Sequence, residues 1–269
     1  MATLEQRAAD ELRAIVEQYA AGEAEVVRAY FEQPHSMDDH VDVLLRQMGR
    51  EIQTANWLNR AQHMLDELEV TVDRHALADI LEQIAEETEH YVLLADLAEW
   101  AAGRKLGRDD LRRYEVYARW DPMAPPDKLS NAHLPEANRM LEVGHAMMDE
   151  VGYELGNEIG RLSEGGGGGA FIECTRLTGD EFRERLAAAM ARIVKDEMHH
   201  GPERIDGFAR NWIRSEDDLT TAARWLRTFM AQHLRVRNEI WRYSLPPERL
   251  AAIDRGEVTP APTFATALE

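Results

Sequence analysis

Two short stretches bring acids and imidazoles together at a spacing that can hold a metal. One is "AEETEHYVLL", with Glu87 and His90. The other is "KDEMHH", with Glu197 and His200. Residues three apart on an α-helix lie about 60° apart on one face. A carboxylate and an imidazole can then reach the same ion from a single helix. Two such helices facing each other across a bundle core could hold two ions. Hard oxygen ligands with one imidazole each suit iron or manganese better than zinc or copper.

The spacing alone is weak in a chain with 50 acidic residues. Glu32/His35 and Glu142/His145 repeat it. Context separates them. The first straddles Pro34, and the second has no acid beside its glutamate. Glu87 and Glu197 each follow another acid, Glu86 and Asp196, and each follows apolar positions at matching offsets: Ile80 and Ile84, then Met190 and Val194. A ligating histidine commonly donates its second ring N–H to a carboxylate, which gives such extra acids a use. His199 and Glu89 sit just before the two histidines and read as bystanders. His63, His75 and His145 read as ordinary helix residues.

Long amphipathic helices must position these residues. The apolar spacing predicts a helix over 3–32, a second over about 41–68, a third over about 74–102 stopped by Gly103, and a fourth from Pro135 to at least Leu162. Further helices are expected over about 179–212 and 217–243. Residues 103–133, rich in proline, read as a crossover, and five glycines at 165–169 read as either a flexible loop or a distorted helix wall. No strand pattern is evident. The expected fold is one all-α domain over 1–269: a four-helix core at about 41–212, an extra helix at each end, and a loosely packed tail over 246–269.

"RIVKDEMHH" resembles the Asp-Glu-x-x-His signature of the ferritin-like di-metal carboxylate superfamily, which includes monooxygenase hydroxylases and ribonucleotide reductase small subunits. The resemblance covers about 41–212. It implies a ferritin-like four-helix bundle in which Glu87, His90, Glu197 and His200 bind metal and Glu86 and Asp196 bond the ligating imidazoles. It also implies one further glutamate from each of two other helices. Glu51, 36 residues before Glu87 and beside Met48, Ala55 and Leu58, fits the first. Glu164, 33 residues before Glu197, is preferred for the second, with Glu158 and then Glu154 as alternatives. A regular helix would turn Glu164 away from Leu155, Ile159 and Leu162, so its use requires a phase change nearby. The reductase's radical tyrosine would fall at Leu94, which argues against that branch.

The resemblance implies two Fe, or Mn, or a mixed Mn/Fe pair, activating dioxygen to oxidise a small organic substrate. No dinucleotide fingerprint or cysteine cluster is present, so electrons would come from a separate donor. Ferritin-like iron handling, manganese catalase activity and a metal-free helical interaction protein stay open as alternatives. The net charge of −19 disfavours nucleic acid and anionic membrane surfaces as partners. The lone Cys174 cannot form an internal disulfide. With no signal-like or membrane-spanning stretch, a cytoplasmic location is expected. The amphipathic end helices leave room for a homodimer.

Overall fold

The structure, a computed structural model, describes residues 2–51, 74–114, 132–197 and 202–260. These residues are helical, with no strand among them. The chain divides into two compact units, residues 1–34 with 139–269 and residues 35–138, where the sequence suggests one domain.

The second unit holds α2 (Met37–Glu51), α3 (Arg74–Ala102) and the short α4 (Arg108–Arg112). Ser36 and Asp39 start α2 by capping each other's backbone N–H groups, at 2.9 and 3.2 Å. Its buried stripe of Val41, Leu44, Leu45 and Met48 packs on α3. The stripe continues to Gln47 and Glu51, two polar residues that are also buried. Gly103, at φ 63°, ends α3, as its sequence position suggests. Tyr114 is fully buried, hydrogen-bonds Asp42, and lies under the Arg46 guanidinium, 4.9 Å from the ring centroid. The expected second helix beyond Glu51 lies outside the described residues.

In the first unit, α1 (Leu4–Phe31) is central rather than an added end helix. It packs against α7 (Ser163–Cys174), α9 (Pro202–Trp212), α10 (Glu216–Ile240) and α11 (Pro247–Asp254). From Tyr19 to Val27 every residue except Glu25 is buried. Ala20, Ala21, Gly22 and Ala24 explain this, because small side chains let neighbours approach on several faces. Ile253 of α11 rests on Gly22, and Gln18 Nε2 donates to the Ile253 carbonyl at 2.7 Å. Of the region expected to be a loose tail, 246–269, the part that forms α11 is docked, with Leu250, Ala252 and Ile253 buried, and 261–269 lies outside the described residues.

The expected fourth helix, Pro135 to at least Leu162, is two helices, α5 (Pro135–Val151) and α6 (Tyr153–Arg161), with α7 directly after them. Gly152, at φ 85°, breaks the first pair, and Leu162 separates the second. The glycine run is helical, inside α7. A Cβ on Gly169 would stand 2.0 Å from the Ala20 carbonyl oxygen. At that position glycine serves close approach of two helix backbones rather than room for a substrate. The expected 179–212 helix is described as α8 (Glu181–Glu197) and α9.

Candidate metal centre

Glu51, Glu87 and His90 come together within the second unit. Each offers a ligand atom, and these atoms lie within 4.8 Å of one another. Helix α2 delivers Glu51 from its last described turn. Helix α3 delivers Glu87 and His90 from one turn, with His90 Nδ1 3.7 Å from Glu87 Oε2. His90 is 1% exposed and Glu51 7%, while the Glu87 side chain is 34% exposed. The group thus has a buried floor and one accessible edge.

The electrostatics of the group favour a cation. Burial, then the charge of Glu87 and its hydrogen bond, push the Glu51 carboxyl up to about 7. His90 and the Gln47 amide pull in the other direction and do not prevail. Two carboxylates this close in a poorly hydrated place resist ionising together. A divalent ion between them would remove that conflict. The donor set therefore fits a hard divalent cation held by two carboxylates and one imidazole.

Gln47 was not among the residues that the sequence singled out. It is 4% exposed, lies one turn before Glu51, and donates its side-chain N–H to Glu51 Oε1. That bond fixes one oxygen of the carboxylate. The signal in the sequence was a glutamine four residues from a candidate ligand on the same apolar face.

The other expected site residues fall as follows. Glu86 is half-buried on α3 beside Glu87. Glu164 lies in the first turn of α7, and its side chain is outside the described residues. The break at Leu162 comes directly before it. Ser163 Oγ donates to the Gly160 carbonyl across that break at 2.6 Å. Glu158 is half-buried and pairs with Arg161 at 3.3 Å, and Glu154 is exposed. Asp196 and Glu197 are half-buried at the end of α8, and His200 lies outside the described residues. Glu51, Glu87 and His90 belong to the second unit; Glu164, Asp196 and Glu197 belong to the first.

The first unit buries a different ionic group, also unmarked in the sequence reading. Glu23 on α1 is fully buried. Its Oε1 is 2.6 Å from His233 Nδ1, and its Oε2 accepts from Arg237 Nε at 3.1 Å. The Arg237 guanidinium also lies 4.9 Å from the Phe171 ring centroid. With both oxygens of Glu23 engaged, the group ties α1 to α10 and α7. An acid inside the small-residue stretch "AAGEAEVV" was the available signal.

Comparison of the chain with protein-family models, with curated proteins and with solved structures finds no match in any of the three.

Proposed function

We propose that this protein is a ferritin-like di-metal carboxylate oxidase or oxygenase. The observation that carries the reading is the Glu51–Glu87–His90 group, in which burial and the neighbouring Glu87 hold the Glu51 carboxyl up and whose donors suit iron or manganese. These three residues would hold one ion. Glu164, Glu197 and His200 are the proposed ligands of a second, with Glu86 and Asp196 orienting the imidazoles. Once bound, the metals would supply dioxygen activation toward a small organic substrate, with electrons from a separate donor protein.

The chain's own contribution is to hold and shield. Burial of His90 and Glu51 keeps bulk water from competing for the ion on that side. Gln47 holds one oxygen of Glu51 away from the ligand position. The partial exposure of Glu87 leaves one side of the group open to small molecules.

The test is anaerobic loading with iron(II), followed by iron counting and measurement of oxygen consumed on exposure to air. The reading expects two irons per chain and rapid oxygen uptake linked to their oxidation. Glu197→Ala should drop the count to one or below and slow that uptake sharply. Two irons in both proteins, or no uptake by the loaded wild type, would overturn it.

A further inference from the structure

A pocket of about 410 Å³ opens in the first unit beside the crossing of α1 and α7. Its floor includes Ala21, Ala24 and Gly169, the small residues that let the two helices meet. Its volume is in the range that accommodates small-molecule ligands. Three arginines and two glutamates line it, in a chain whose net charge is −19.

The ion pairing in this pocket is uneven. Arg249 forks onto Glu25, at 2.6 and 2.8 Å, and the two charges cancel. Arg28 and Arg176 both donate to one oxygen, Glu173 Oε2, at 3.0 and 3.3 Å. Two cations thus share a single carboxylate. Each guanidinium has five N–H donors, and each spends one on Glu173. The Arg28 and Arg176 side chains are 47% and 62% exposed, so a solute can reach them.

We propose that this pocket binds a small organic anion, with a carboxylate or phosphate seated between Arg28 and Arg176 and the apolar remainder on Ala21, Ala24 and Ile172. An oxyanion supplies the negative charge that the two guanidiniums share too thinly, and guanidinium forks match its geometry. The surrounding acidity makes this local excess of positive charge selective, because an anion meets repulsion over much of the rest of the protein. This site is independent of the metal reading.

Calorimetric titration of the full chain with inorganic phosphate and, separately, with benzoate tests the proposal, against sodium chloride at matched ionic strength. Saturable binding of either probe, one per chain, is expected at millimolar concentration. Binding of phosphate alone or of benzoate alone identifies the head group. Arg28→Gln and Arg176→Gln should each weaken binding about tenfold, the scale of one charged hydrogen bond in a partly exposed setting. Glu173→Gln, which removes the competing carboxylate, should tighten it several-fold. Arg224→Gln, which breaks an exposed pair with Glu150, should leave it unchanged. No saturable binding beyond the chloride control would overturn the proposal and leave a surface ion-pair network. So would equal weakening in all three arginine variants, or no tightening in Glu173→Gln.

Discussion

Replacing Glu51 with glutamine should make the metal-free protein more stable at alkaline pH. Glu51 keeps its proton in the folded state up to about pH 7, against 4.5 for a free glutamate. Between these values the folded chain binds more protons than the unfolded one, so stability falls as pH rises. Wild type is thus at full relative stability below about pH 4.5 and carries the whole cost of ionising Glu51 above about pH 7. The interval between the two values corresponds to about 3 kcal/mol. Glutamine has the same shape and can still accept from Gln47, so the change is confined to charge. Urea unfolding with a chelator present should show wild type and Glu51→Gln within about 0.5 kcal/mol of each other at pH 4. At pH 8 the variant should lead by about 2–3 kcal/mol. Hydrogen exchange should place the gain in α2 and α3. Manganese(II) at about a hundred times its dissociation constant adds about 2.7 kcal/mol to a protein that binds it, so it should restore wild type and not the variant. A wild-type-to-variant difference that stays flat from pH 4 to pH 8 would refute the reasoning, because Glu51 would then ionise without a cation.

Gly169→Ala should destabilise the first unit by about 2 kcal/mol or more in urea unfolding, since the new methyl meets the backbone of Ala20 and neither helix can yield cheaply. Gly144→Ala, with no atom of the described residues within 4 Å of the added carbon, should instead stabilise by up to about 1 kcal/mol through helix propensity. Glu23→Ala should cost about 3–5 kcal/mol, because it removes the carboxylate that the buried Arg237 and His233 both contact. Asp110 is held down to about 2 by its hydrogen bonds with Arg104 and with the Gly107 N–H. Its contribution is complete above about pH 4 and is lost as pH falls toward 2. Solvent screening limits it to under about 1 kcal/mol, measurable as a difference between wild type and Asp110→Asn in acid titration.

The helix ends most legible in the sequence carry strong local signals. Thr3 and Gly103 bound α1 and α3 within a residue of the expected limits, because a cap and a left-handed glycine act locally. Glu87 and His90 were legible for a related reason: helical period and acid–imidazole spacing survive without tertiary knowledge, whereas Glu51 was reached through the family resemblance. Elsewhere the tertiary structure decided. A periodicity argument carried the fourth helix through Gly152, where a single positive φ ends it. The glycine run looked like a loop by propensity, yet Ser163–Cys174 is helical, and at Gly169 contact with α1 explains the missing side chain. Helix α1 looked like an accessory because its apolar stripe is ordinary. Its central place comes from Ala20, Ala21, Gly22 and Ala24, which score low on any hydrophobic count but permit close packing. Buried polar partners such as Gln47 with Glu51, or Glu23 with His233 and Arg237, left only a faint mark in the sequence for the same reason. Their burial depends on what packs over them.

Equilibrium binding of manganese(II), with the free ion counted by electron paramagnetic resonance, tests the metal centre most directly. The account predicts saturable binding by wild type, weakened at least tenfold in Glu87→Ala and in His90→Ala, the usual scale for loss of a metal-site group. Glu142→Ala, taken from the exposed member of a Glu-x-x-His pair that brings no second acid with it, should bind like wild type. Equal affinity in all four proteins, or no saturable binding by wild type, would contradict it.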